Sequence, residues 1–118
     1  MYSNRIIYLM LKTVTNDSLN IGTDEIAIVD FGAAWCGPCQ RLAPVYAVSA
    51  TVNAKYDHLT VDVDANPQLA TKYGIQSVPT LVIVAGNEEI GRISNPGTLG
   101  AISNFISETL ANFESRKP

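Results

Sequence analysis

Both cysteines of the 118-residue chain fall in one pentapeptide, Trp35-Cys36-Gly37-Pro38-Cys39. Thiols at C-x-x-C spacing can close a small reversible disulfide ring, Cys36–Cys39, and that ring can exchange with a disulfide on another molecule. One thiolate attacks and forms a mixed disulfide; the second thiol then attacks that bond and releases the reduced target. The attacker has to be partly exposed and to have a lowered pKa. Cys36 meets the second need if a helix starts at the motif, because unpaired amides and the helix dipole favour its thiolate. Cys39, one turn further in and shielded by that helix, is then the resolving thiol. Pro38 suits a first helical turn, and Gly37 lets a substrate backbone approach closely.

Two further features bear on this chemistry. Asp30 interrupts an apolar strand-like run six residues before Cys36. A carboxylate there is costly unless it has a task; desolvation would raise its pKa and suit it to accept a proton from Cys39 near neutral pH. The bland alternative is a strand-end aspartate facing solvent. Val78-Pro79-Thr80 precedes a second apolar run, Leu81 to Val84. A proline opening a strand is ordinary, and a cis Val78-Pro79 bond is a minority outcome that sequence physics alone does not select.

The elements that must position these residues read coarsely as strand, helix, strand, helix, strand, helix, strand, strand, helix. A first strand lies within Arg5 to Val14. Asn16 or Asp17 opens a short helix that Gly22 stops. Ile26 to Phe31 is a central strand buried on both faces. Leu42, Val45, Tyr46, Ser49 and Val52 fall at helical spacing, with Pro44 expected to kink that helix. Leu59, Val61 and Val63 alternate as a strand. Asn66-Pro67 caps and opens a helix that Gly74 ends. Leu81 to Val84 and an edge strand from Glu89 to Ile93 form a hairpin, and Leu99, Ile102, Ile106, Leu110 and Phe113 mark a last amphipathic helix. Parallel crossovers followed by a hairpin give a mixed sheet with helices on both faces.

Composition bounds the rest. The length suits one domain, 1–118, with residues 1–8 as a lead-in and 114–118 as a disordered tail. A net charge of -3, with eight scattered basic residues, argues against nucleic-acid binding. No apolar run is long enough to span a membrane. Ile6 to Leu11 is short, follows a single positive charge and lacks a cleavage site, so a first strand is preferred to a signal peptide, which points to the cytoplasm. Thiols there are kept reduced, and a lone pair is catalytic or metal-binding rather than structural. Structural zinc wants about four ligands; only His58 remains as a soft partner, and it is read as a surface histidine. No metal or other cofactor is expected. Asp62 and Asp64 read as a solvated strand face and turn cap. Trp35 reads as an exposed ring that shields the reactive thiol and contacts substrate.

The WCGPC motif, Val29-Asp30-Phe31 before it, Lys72-Tyr73-Gly74-Ile75 and Val78-Pro79-Thr80 together resemble the thioredoxin family, well from Ile26 to Val84 and loosely beyond. The resemblance implies an α/β thioredoxin fold: a central mixed β-sheet of about five strands flanked by about four helices on both faces. It implies disulfide reductase activity on disulfide-bearing target proteins, recycling by an NADPH-dependent thioredoxin reductase, and a monomer. Cys36 becomes the nucleophile, Cys39 the resolving thiol, Asp30 the buried acid-base group and Pro79 the cis-proline. Trp35, Gly37, Pro38, Val78, Asn95 and Pro96 then line the substrate groove.

Departures from the family pattern accompany the match. Gly32 replaces an aromatic residue and removes packing beside the site. Gln40 replaces a common lysine or arginine, and Thr60 a lysine whose loss should raise the pKa of Asp30 further. Ser77 replaces a small residue, often glycine. Ser94-Asn95-Pro96-Gly97 replaces the small-residue edge of the groove, which bears on partner choice. A thioredoxin-fold oxidase or isomerase is disfavoured by Gly37-Pro38, and an accessory binding module has only the Asn95-Pro96 edge in its favour.

Overall fold

The computed structural model describes residues 11–117. Five strands form one sheet in the order β1-β3-β2-β4-β5. They are β1 (Leu11–Thr13), β2 (Ile26–Gly32), β3 (Asp57–Asp62), β4 (Thr80–Ala85) and β5 (Glu88–Ser94). Strands β1 and β2 run parallel to β3, while β4 pairs antiparallel with β2 and with β5. The sheet is therefore mixed, with β2 at its centre. Ala27, Ile28, Val29 and Phe31 of β2 are fully buried, as a near-continuous apolar run requires.

Alternate β2 side chains feed two apolar clusters. Val29 and Phe31 pack with Leu59, Val61, Leu69 and Tyr73 beneath α2 (Pro67–Lys72). On the other face, Ile28 packs with Leu42 and Tyr46 of α1 (Gly37–Val52) and with Ile102 and Ile106 of α3 (Leu99–Ser115). Helix α1 supplies the parallel crossover from β2 to β3 and runs on through Pro44. Its anticipated apolar face is shorter than the spacing suggests, since Val52 is 60% exposed. Helix α3 continues to Ser115 and is capped at its start by Thr98, whose Oγ1 accepts from the Ala101 amide at 3.1 Å.

The described residues contain three helices, one fewer than the sequence suggests. The missing one is the short helix at Asn16–Asp17. Asn16, Asp17 and Asn20 take φ of 60°, 55° and 55°, the left-handed region that asparagine and aspartate tolerate best and that breaks a right-handed helix. Asp17 does cap a helix, but a distant one. Its carboxylate accepts from the Leu69 amide in the first turn of α2 at 3.0 Å, and its own amide donates to Asn66 Oδ1 at 3.0 Å. Asn66, the residue expected to cap α2, makes no side-chain cap bond and instead donates to the Val14 and Asp62 carbonyls. Gly74, at φ +59°, ends α2 as expected. The first strand lies partly outside the described residues, as do the 1–8 lead-in and the Ile6–Met10 part of the rejected signal segment.

Candidate active site

Strand β2 ends at Gly32, and a three-residue turn delivers Trp35 and Cys36 to the mouth of α1. Two bonds fix that turn: the Cys36 amide donates to Ala33 O at 3.2 Å, and Gln40 Nε2 donates to Ala34 O at 2.8 Å. Gln40 thus uses its amide to brace the loop. Cys36 is the N-cap of α1, with its Sγ accepting from the Cys39 amide at 3.2 Å. A sulfur in that position receives an otherwise unpaired donor and the positive end of the helix dipole, so its thiolate is favoured. Cys36 and Cys39 are joined as a disulfide, with Cα atoms 5.2 Å apart.

The Val78–Pro79 peptide is cis, and the Val78 carbonyl oxygen stands 3.7 Å from Cys36 Sγ. Pro79 is buried and its carbonyl accepts from the Asn95 amide at 2.8 Å. The Ser94–Gly97 edge is therefore tied to the proline through its own backbone. Asn95 is exposed with φ 48°, and Pro96 is buried. Together with Pro38 and Arg41 they line a cleft of about 250 Å³ on one side of the motif. Trp35 is 70% exposed, and its indole Nε1 donates to Asp64 Oδ2 at 2.9 Å. Asp62 Oδ1 in turn accepts from the Asp64 amide. The expected turn cap is present, and Asp64 also holds the tryptophan ring. A 29-residue separation hid that second contact.

Two expectations are corrected here. In the disulfide, Cys36 is only 5% exposed, whereas Cys39 is half-buried, the reverse of the anticipated order. The reason is Gly32: a β-carbon placed there would lie 3.4 Å from Cys39 Sγ, so a side chain at this position would cover that sulfur. His58 is no surface histidine but is 1% exposed. Its Nδ1 donates to Tyr56 O at 2.9 Å, which leaves Nε2 to accept from Ser49 Oγ at 2.9 Å, while Ser49 Oγ accepts from Asn53 Nδ2 at 3.0 Å. Every polar atom of the ring is satisfied in the neutral form, and burial lowers its pKa. The signal was Ser49, a hydroxyl on the buried face of α1 that needed a partner.

Asp30 lies under the motif. Its Oδ1 is buried with no hydrogen-bond partner among the described residues, and burial pushes the carboxyl from 3.8 to about 7. It also approaches the Gly32 position, at 3.9 Å from a β-carbon there. Carboxyl and Cys39 sulfur thus flank one gap that water can bridge. Another cavity, of about 480 Å³, lies beside β1 and the following loop, away from the disulfide, and takes no part in this arrangement.

A disulfide at a helix N-terminus, facing the Val78 carbonyl that precedes a cis-proline and lying over a half-buried aspartate, coincides with a family match across residues 10–108 to thioredoxin. The chain belongs to the thioredoxin family. Thioredoxin 1 of Nostoc sp. is 37% identical over 92 residues, covering 76% of this chain and 81% of that protein. Thioredoxin 2 of Chlorobaculum tepidum is 39% identical over 92 residues, covering 76% and 80%. The solved thioredoxin of Malassezia sympodialis superposes with a TM-score of 0.74 at 26% identity, covering 84% of this chain and 90% of that one. Thioredoxins are protein disulfide oxidoreductases, and this chain carries the redox-active pair they use. The helix count aside, its mixed sheet and two-sided helix packing are those of the fold.

Proposed function

We propose that the chain works as a single-domain, monomeric cytoplasmic reductase of protein disulfides, with Cys36 as nucleophile and Cys39 as resolving thiol. The observation that carries this reading is the Cys39 amide aimed at Cys36 Sγ at 3.2 Å. That contact stabilises negative charge on one sulfur of the pair. Reduced Cys36 attacks a target disulfide as the thiolate. Val78, set by the cis bond to Pro79, offers backbone to an extended target strand, and Trp35, Gly37, Pro38, Asn95 and Pro96 form the surrounding contact surface. Asp30, close to half-ionised at neutral pH, takes the Cys39 proton so that Cys39 can attack the mixed disulfide and close the ring. A thioredoxin reductase drawing on NADPH restores the dithiol.

Insulin reduction tests this reading. Wild type should precipitate the insulin B chain in the presence of a dithiol, Cys36→Ser should not, and Cys39→Ser should accumulate a mixed disulfide through Cys36. Insulin reduction by Cys36→Ser at the wild-type rate would overturn the assignment.

The groove edge adds a selectivity to the same reading. Asn95-Pro96 presents side chains and commits the Asn95 amide to Pro79, so an extended partner finds less free backbone there. Turnover by a generic bacterial thioredoxin reductase should be weaker than for an ordinary thioredoxin, and replacing Asn95-Pro96 with Gly-Ala should recover part of the loss. Equal turnover with every reductase tried would remove this selectivity.

A further inference from the structure

The motif has a second approach. Opposite the Asn95-Pro96 edge, a cleft of about 210 Å³ is lined by Asp30, Gly32, Ala33, Cys39, Thr60 and Asp62, among others. It reaches Cys39 and not Cys36. Gly32 makes the opening, since its missing side chain would otherwise occupy the space against Cys39 Sγ. The two carboxylates are the ionisable side chains of its lining apart from the cysteine, and no lysine or arginine among the described residues lines it.

We infer that this cleft is an entry for small aminothiols, which reduce the Cys36–Cys39 disulfide by attacking Cys39 directly. The inference rests on the reading of the pair as a working exchange site. Attack on a disulfide is fastest at an accessible sulfur whose partner leaves as the more stable thiolate. Cys39 is the more exposed residue of the pair, and its sulfur lies against the gap left by Gly32 in the cleft lining. Cys36 is the better leaving group, because the Cys39 amide already points at its Sγ. Attack at Cys36 would instead expel Cys39, and the amide that stabilises a thiolate in this pair points at Cys36 and not at Cys39.

The step balances without a further reagent. The incoming thiolate bonds to Cys39 Sγ, the Cys36–Cys39 bond breaks, and its electron pair stays on Cys36. A second thiolate then attacks the small-thiol sulfur of the mixed disulfide. The oxidised small disulfide leaves, and Cys39 departs as a thiolate that takes a proton from water or from protonated Asp30. Two thiols supply the two electrons. The acidic lining selects among them: an ammonium close to the thiolate offsets repulsion from Asp30 and Asp62, whereas a carboxylate adds to it. Protein targets are too large for the cleft and keep the Cys36 face.

The test uses the oxidised full chain with cysteamine, 2-mercaptoethanol and mercaptoacetate, compared at equal thiolate concentration and normalised to their rates with a small linear disulfide. Cysteamine should be fastest and mercaptoacetate slowest, each step being about fivefold. Gly32→Val should slow cysteamine about tenfold or more by displacing it from the sulfur. Gly32→Ala should have a smaller effect in the same direction. The new β-carbon meets nothing closer than 3.4 Å, so alanine is accommodated even if valine disturbs the fold. Acid quenching and peptide mass spectrometry at partial conversion should find cysteamine on Cys39. Cysteamine on Cys36, or rates untouched by both Gly32 variants, would overturn the inference; where the mixed disulfide is too short-lived to isolate, the rates decide. Insulin reduction by wild type is scored separately: its failure alone sinks the reductase reading, and its success with Gly32-insensitive small-thiol rates sinks only this one.

Discussion

Asp30 and His58 lie on the sheet face that α1 covers, Asp30 near the helix start at Cys39 and His58 near its end at Ser49. Both are titratable groups in β-strands, two registers apart across the β2–β3 pair. His58 has a partner for each ring nitrogen, and the proton chain from Asn53 through Ser49 to Tyr56 O leaves nothing unpaired. Asp30 has a buried oxygen with no hydrogen-bond partner among the described residues. A helix anchored firmly at its far end can carry a poorly satisfied group at its working end, where an unmet hydrogen bond keeps a carboxyl ready to take a proton. The difference between the two ends separates what holds this molecule together from what it does.

The far end should break hardest. His58→Leu strands the Ser49 hydroxyl and the Tyr56 carbonyl in the interior, and denaturant unfolding should show a loss of about 2–4 kcal/mol. Adding Ser49→Ala should return part of that loss, a non-additive pair reporting one network. Disulfide exchange by the folded fraction should change little. A stable His58→Leu protein would mean that the chain of bonds is incidental.

At the working end the sign reverses. The folded pKa of Asp30 is raised from 3.8 to about 7, so its burial destabilises the protein progressively as pH climbs through that window. Asp30→Asn should gain up to about 4 kcal/mol at pH 8, less in practice because the carboxyl borders an open cleft, and almost nothing at pH 4. Disulfide exchange near pH 7 should slow by about 10–100-fold. His58 acts oppositely: its pKa is lowered from 6.5, so its contribution falls as pH drops below that value. Urea titrations of Asp30→Asn across pH should therefore show only the acid-side decline. A variant less stable than wild type at pH 8, with full activity, would make Asp30 a structural partner.

Smaller effects sharpen the same contrast. Tyr46 lies between the two ends, its hydroxyl shared by the Ile28 and Leu59 carbonyls at 3.0 and 2.8 Å. Tyr46→Phe should cost about 1–2 kcal/mol in thermal or urea unfolding, with exchange rates intact. Smallest of all, Asp64→Asn weakens an exposed bond to Trp35 and should shift stability by under about 0.5 kcal/mol. Its mark should be on Trp35 fluorescence and, to a lesser degree, on the apparent affinity for insulin.

Features set within a few residues were legible from the chain. The apolar run of β2, the Gly37-Pro38 entry to α1, the Asn66-Pro67 start of α2 and the amphipathic stripe of α3 each carry a local pattern that the fold keeps. Asp30 could be singled out because a charge inside such a run is locally anomalous. What escaped depends on partners far along the chain. The burial of His58 needs Ser49, the hold on Trp35 needs Asp64, and the exposure of Cys39 depends on what Gly32 lacks across the turn. The misread helix at Asn16–Asp17 has the same origin. Asp17 is a cap-forming type and does cap a helix, but the end it caps belongs to an element 52 residues away.

That last contact ties two stretches of chain into one thermodynamic unit. The Asp17 amide and the Leu69 amide are each shielded from solvent by the other segment, through Asn66 and Asp17 respectively. Neither segment can swing free without releasing both protons. In native-state hydrogen exchange the two amides should share a single opening free energy and respond alike to denaturant. Asp17→Ala should then let the start of α2 exchange faster while α1, with the disulfide at its tip, keeps its protection.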